Sequence, residues 1–246
     1  KLIEAPTGTL AYNIFISKSG YSSDFTTSSK PSNPNPTKPP ASVTSHNITT
    51  MSFAIDKVSN INFRTITSTC EAVPSASFSM KGQKLIGSVP AVYKFDKTLT
   101  TNGSGIYNLS NAEWDTYSFS AIGTTYNIAG TIPLSPFTLQ PDNNQDVYIM
   151  LSPYTANSLL VKVKDASSGL PLSGATVNLS GGSVNKTGET GLGFILQTDW
   201  SGGSAQVNFV NATKYFSDDS MIENNKPSGD ILLRKVGQNY VSSGML

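Results

Sequence analysis

The chain has 246 residues, 37% hydrophobic and only 13% charged, with a formal net charge of +1. That balance, with no basic stripe, excludes a nucleic-acid partner, and no apolar run reaches the roughly 18 residues that mark a membrane-spanning helix. Ser, Thr and Asn take the place of the missing charges, a composition that favours strands and turns over exposed helices. Lys1-Leu2-Ile3 reads as the interior of a longer sequence, so the chain is read as a mature or trimmed product.

In chain order, Tyr12-Asn-Ile14-Phe-Ile16 alternates and predicts a strand. From Ser28 to Val43 the composition changes to SSKPSNPNPTKPPASV, rich in proline and poor in apolar residues. Proline removes backbone donors and favours polyproline II, so this stretch is expected to be a semi-rigid spacer. Short alternating segments follow: Met51 to Ile55, Ile61 to Ile66, Ala76 to Met80, Ile106 to Leu109, Tyr117 to Phe119 and Asp146 to Leu151. Leu159 to Val163, Ala175 to Leu179, Phe194 to Leu196, Ala205 to Phe209 and Ile231 to Leu233 complete the series. Such spacing, with Gly, Pro, Asn or Asp between segments, predicts an all-β sandwich architecture. One short helical piece is expected near Tyr215 to Glu223. Cys70 stands alone, so no intrachain disulfide can form; it is read as a small buried hydrophobe, with an intermolecular bridge as the alternative.

The segments recur. Leu159 to Val163 aligns with Ile61 to Thr65, and Pro171 to Leu179 aligns with Pro74 to Met80 after a two-residue shortening. Thr187 to Gly191 aligns with Thr101 to Gly105, and Trp200 with Trp114. Tyr12 to Ile16 matches Tyr117 to Ala121, so the start of the chain reads as the tail of a further copy. The expected organisation is residues 1–29 as the C-terminal part of an incomplete unit, 30–45 as a proline-rich linker, and 46–154 and 155–246 as two sandwich domains. A tail alone leaves sheet edges unpaired, which requires strands from elsewhere, including donation by a neighbouring subunit.

Val161-Lys-Val163-Lys-Asp165-Ala-Ser-Ser-Gly169-Leu-Pro171-Leu-Ser-Gly174-Ala175-Thr-Val177, followed by Thr187-Gly-Glu-Thr-Gly191, resembles the carboxypeptidase regulatory-like domain. That family is a transthyretin-like (prealbumin-like) seven-stranded sandwich, and B-type repeats of Gram-positive adhesins and pilins use a similar pattern. The resemblance covers about 80 residues of the last unit. It implies tandem transthyretin-like, Ig-like sandwiches, the first one incomplete, and a place in a multi-domain bacterial surface protein.

Chemical motifs are few. One histidine, His46, and one cysteine cannot assemble a zinc site, and no Gly-x-Ser-x-Gly elbow exists. Ser180 to Thr187 mimics a phosphate loop, but Asn185 occupies the required glycine, so a hairpin is expected. Lys186 also serves both apparent penicillin-binding motifs, which an enzyme would need on separate elements. Asp142 to Asp146 offers oxygen ligands for calcium but lacks the bidentate Glu, so a polar turn is expected. Asn47, Asn102, Asn108, Asn178, Asn185 and Asn211 head Asn-x-Ser/Thr triplets, which this composition produces by chance. A Lys–Asn crosslink from Lys162 or Lys164 lacks a carboxylate catalyst on the strand Gly203 to Phe209. Trp114 and Trp200 are expected to anchor a shared turn or core, with glycan contact as the alternative. No catalytic, cofactor or metal residues are assigned. The expectation is a non-enzymatic extracellular filament, pilus-like fibre or stalk subunit whose partners are copies of itself or other surface proteins. A glycan- or protein-binding module is the alternative, and accessory domains of a secreted enzyme come third.

Overall fold

The structure is a computed structural model that describes residues 5–154, 158–165, 167–181, 184–189, 194–198, 206–211 and 228–233. Among these residues every regular element is a strand. The chain clusters into two compact units, Lys1–Gly123 with Thr131–Leu151, and Thr124–Gly130 with Ser152–Leu246.

The first unit opens with β1 (Gly8–Tyr12), β2 (Phe15–Ile16), β3 (Asp24–Phe25) and β4 (Ala41–Val43). β1 pairs antiparallel with β4, and β2 with β3. The strand expected over Tyr12 to Ile16 is therefore broken between two sheets. Six strands follow: β5 (Ser59–Ile66), β6 (Ser77–Gly82), β7 (Leu85–Gly87), β8 (Val92–Tyr93), β9 (Asp96–Thr100) and β10 (Ile106–Ala112). Then come β11 (Asp115–Ala121), β12 (Tyr126–Ile132), most of which belongs to the second unit, β13 (Phe137–Leu139) and β14 (Asn144–Pro153). One sheet carries the run β10-β5-β14 and the other runs β13-β11-β6-β9. Strict alternation decides the layers. Ser59, Ile61, Phe63 and Thr65 of β5 are buried, as are Phe78, Met80 and Gly82 of β6, while the residues between them turn outward. The sheets meet through aromatic rings: Phe63 lies 5.2 Å from Phe78 and 5.7 Å, edge-on, from Phe119. Tilted and T-shaped contacts of this kind add about 0.5–1.5 kcal/mol each beyond burial.

In the second unit the described strands are β15 (Ser158–Asp165), β16 (Thr176–Gly181), β17 (Val184–Glu189), β18 (Phe194–Thr198), β19 (Gln206–Asn211) and β20 (Ser228–Leu233). Their pairing follows the same plan. β18-β15-β20 matches β10-β5-β14, and β17-β16-β19 matches β9-β6-β11. In each case the opening strand lies antiparallel to one neighbour and parallel to the closing strand.

The turn after the opening strand fixes the correspondence. Val73 N donates to Thr65 O, and Leu172 N donates to Val163 O. Ile66 bridges Ala72 as Lys164 bridges Pro171. Pro171 therefore stands where Ala72 does, not Pro74, and no shortening separates that point from the next strand. Likewise Thr100 faces Ser77 as Glu189 faces Thr176, so Thr187 corresponds to Thr98 and not to Thr101. Gly191, Trp200 and the helical piece expected near Tyr215 lie outside the described residues.

Three further expectations are corrected. Met51 to Ile55 forms no strand. Cys70 is exposed, because it occupies a turn with φ 65°. The proline-rich stretch is no free spacer: its alternation Asn33-Pro-Asn35-Pro-Thr37 leaves a donor or acceptor at every second residue. Asn33 Nδ2 donates to Ile86 O (3.0 Å), Thr37 N to Ile86 O (3.1 Å), and Ser88 N to Asn35 O (2.9 Å). Prolines 34 and 36 fall between those positions, the arrangement in which an edge segment tolerates proline. Asn33 is 1% exposed, and a Cβ on Gly87 would stand 2.0 Å from its Oδ1.

Candidate functional site

Two concave places in the first unit collect the side chains able to recognise something. The first is built around Asp115. The end of β10 carries Asn111 at φ 57° and a register shift between Leu109 and Ala112, and the short turn after it leads into Asp115, whose side chain is buried. Its Oδ1 accepts from Gln83 N (3.1 Å) and Thr116 N (2.7 Å), and its Oδ2 from Lys84 N (3.1 Å). A buried carboxylate is tolerable only with such partners. Gly82 is obligatory beside it, since a Cβ there would lie 2.1 Å from Asp115 Oδ2. Tyr117, fully buried one turn of the pleat further on, donates its hydroxyl to Glu113 O (2.7 Å). Burial, then the charges of Asp115 and Glu113, push its phenol well above the usual range.

This scaffold sets a chain of opposite charges. Lys84 Nζ lies 3.0 Å from Glu113 Oε1 and 3.6 Å from Asp56 Oδ2, and Lys94 Nζ lies 2.6 Å from Glu113 Oε2. Lys94 also donates to Ser23 O, and Lys38 pairs with Asp24. Burial pushes the Asp24 carboxyl up, but the Lys38 hydrogen bond and charge and the amides of Ala54 and Phe25 outweigh it, so the group titrates below its ordinary value. Its contribution to stability is therefore present above the unfolded carboxylate range and is lost as pH falls through the folded value. Lys84 Nζ sits 4.7 Å over the Trp114 ring. Trp114 holds the expected turn but is 40% exposed, so it is no core anchor. These residues, with Phe25, Leu85 and Ile86, line a cleft of about 280 Å³.

The second place is an apolar groove of about 660 Å³ against the β1–β4 pair, walled by Tyr12, Ile14, Val43, Met51, Phe53 and Ile48. Ile48 is 84% exposed. Among the described residues no third strand joins β1 and β4. Thr49 Oγ1 donates to Ser42 O (2.5 Å), and Leu10, at φ 49°, donates its N–H to Ser42 Oγ. His46 lines this groove at φ 61°, and no cysteine or carboxylate joins it in the lining.

The calcium-like Asp142 to Asp146 stretch is spent on other partners. Asp142 pairs with Lys57 (2.6 Å), Asn144 accepts from Asn60 and Asp146 from Asn62. Among the described residues no group of three His, Cys, Asp or Glu side chains could hold a metal ion. Residues 180–181 and 184–187 belong to the two arms of the expected hairpin, with Gly181 opposite Val184. Sequence reasoning missed the cleft because Asp24, Lys38, Asp56, Lys84, Lys94 and Glu113 are scattered and share no motif; the Glu113-Trp114-Asp115 turn was its only local signal.

No family model matches the chain, and no curated protein matches it. Solved structures do. A streptococcal ancillary pilin is 12% identical, with 80% of this chain and 70% of that one covered, at a TM-score of 0.30. A double-mutant shaft pilin SpaA from Lactobacillus rhamnosus GG is 13% identical over 75% of this chain and all of its own, at 0.29. The minor pilin GBS52 of Streptococcus agalactiae is 12% identical over 75% and 99%, at 0.27. Overlaps this low do not decide function.

Proposed function

We propose that the chain is a non-enzymatic, extracellular structural protein, a subunit of a cell-surface filament or stalk built from tandem transthyretin-like sandwiches. The observation that carries this reading is the parallel pairing of opening and closing strands in both units, β5 with β14 and β15 with β20. A pull on the two ends of a unit acts on opposite ends of two parallel neighbours. It therefore loads their ladder hydrogen bonds together, in shear, and not one after another. In β5 and β14 this ladder runs from the Asn60–Asn144 pair to the Ile66–Met150 pair, with Ile61, Phe63, Val147 and Ile149 fully buried beneath it. Subunits would join by strand complementation: a strand from a second copy completes the β1–β4 pair and fills the groove beside it.

Force spectroscopy on the full chain tests the mechanical role. A single-molecule record should show two high-force unfolding events, and Ile149→Pro, which cuts the ladder, should lower one of them. Events indistinguishable from those of an unzipping sheet would end this reading. Assembly is read separately, by sedimentation across concentration and electron microscopy of native material; a persistent monomer would end the joining by strand exchange.

The exposed Trp114 beside a charged cleft favours a second reading, a binding module. A role as accessory domain of a secreted enzyme would need catalytic residues supplied from outside these 246.

A further inference from the structure

The cleft beside Trp114 holds three lysines and three carboxylates, and each ion already has an opposite partner: Lys38 with Asp24, Lys84 with Asp56 and Glu113, Lys94 with Glu113. A ligand with net charge would have to break one of these pairs and strand the other ion, at a cost. A neutral ligand need not. What the walls offer such a ligand is alternation: ammonium groups only donate, carboxylates only accept, and the two kinds lie side by side. The Trp114 indole, 40% exposed, also lines the cleft, with Lys84 Nζ 4.7 Å over one face of its ring and the other face left as the plane for a ligand.

A sugar ring has the complementary surface. Each hydroxyl both donates and accepts, so it can bridge a lysine and its carboxylate without separating them, and the C–H face of the ring packs on an aromatic plane. Size agrees. The cleft is about 280 Å³, just under the ~300 Å³ at which sites for larger ligands begin, which suits one ring. The platform is also rigid before anything binds. Asp115 holds the amides of Gln83, Lys84 and Thr116, and Tyr117 holds the Glu113 carbonyl, so the backbone on both sides of Trp114 is fixed.

We propose that this cleft is a subsite for one neutral pyranose residue, with Trp114 as the platform and Lys84, Asp56 and Glu113 as the hydroxyl-binding edge. The remaining contacts, Lys38 with Asp24 and Lys94 with Ser23 O, fasten the segment around Asp24 to the proline-rich stretch and to the sandwich, and form the far wall.

The test uses the full chain, saturation-transfer NMR and tryptophan fluorescence. The probes are neutral methyl glucoside, methyl galactoside, methyl mannoside and N-acetylglucosamine, with glucosamine and a sialic acid as charged counterparts. At least one neutral probe should saturate with a dissociation constant on the order of 1 mM. Trp114→Ala should weaken it at least ~10-fold and Asp56→Asn several-fold, while Trp114→Phe retains part of the affinity and Trp200→Ala retains all of it. Thermal melts establish that each variant folds. If Trp114→Ala unfolds the protein, the Trp114→Phe and Asp56→Asn pair decides alone. Failure of every neutral probe to saturate, binding of only a charged sugar, or binding unchanged when Trp114 or Asp56 is replaced would overturn the proposal.

Discussion

The turns that leave β5 and β15 do the same job with different residues. After β15, Asp165 N donates to Leu170 O and Gly169 N to Asp165 O; after β5, Thr67 N donates to Glu71 O and Cys70 N to Thr67 O. The second-unit turn is longer by one residue, yet both return to the sheet at equivalent bonds. Both need left-handed residues. The second unit supplies Gly169 (φ 69°) and Gly174 (φ 70°), whereas the first supplies Cys70 (φ 65°) and Ser75 (φ 52°). Topology dictates the backbone, and the side chain is free to be a poor choice for it. Left-handed geometry costs a residue with a Cβ about 1–2 kcal/mol, so the first unit stores strain that the second avoids. The acceptors differ too. Asp165, 2% exposed, takes Ser167 N (3.0 Å) and Ser168 N (2.7 Å) on one carboxylate oxygen. Half-buried Thr67 takes Thr69 N (3.3 Å) and Glu71 N (3.1 Å) on a hydroxyl.

The largest effect should come from the strand that follows this turn. Gly82 ends β6 as Gly181 ends β16, and Gly82→Ala drives a methyl into the buried Asp115 carboxylate. Overpacking and lost hydrogen bonds together should cost about 3 kcal/mol in urea unfolding; a loss below about 1 would mean that Asp115 moves aside freely. Next, Asp165→Ala should cost about 2 kcal/mol and Thr67→Ala about 1, since bonds to a charged acceptor are worth roughly twice neutral ones. Equal losses would erase the distinction between the two turns. Native-state hydrogen exchange assigns each loss to its unit.

Tyr117→Phe should cost about 1 kcal/mol through the orphaned Glu113 carbonyl. It should also change alkaline stability. The folded phenol holds its proton more tightly than the unfolded one, so its contribution is complete below the unfolded value of about 10 and declines as pH rises past it. The Phe variant should lose that part of the decline; an unchanged alkaline limb would count against the buried, neutral phenol. The smallest and most diagnostic effects are opposite in sign. Cys70→Gly and Ser75→Gly should each stabilise by about 0.5–1 kcal/mol, and Gly169→Ala and Gly174→Ala should each destabilise by about 1. A loss in the first pair would show that Cys70 or Ser75 contributes a contact worth more than its strain.

Much of this was legible beforehand. Ile61, Phe63, Phe78, Met80, Val147 and Ile149 stand at alternate positions in their segments, and all are buried. Ala175 and Val177, alternate positions of the Ala175 to Leu179 segment, are buried as well. The alignment of Pro171 with Pro74 went astray because like residues were matched, whereas the conserved quantity is backbone geometry: Gly174 stands where Ser75 does. Cys70 was misread for the same reason, since its burial preference as a type is weaker than the demand of the turn. In the cleft, Trp114 was visible as a turn residue, but its neighbours arrive from five separate stretches of chain.

The sequence by itself determined what depends on neighbours a few residues away. Strand alternation has a period of two, and turns need Gly, Asn or Pro at fixed offsets, so the all-β class and most strand positions follow locally. Tertiary structure alone decided which edges pair, that β14 lies parallel to β5, that a proline-rich stretch docks along β7, and that Asp115 is buried while Cys70 is not. Those outcomes are set by hydrogen bonds and contacts between residues tens of positions apart, and such partners leave no periodic mark on either segment.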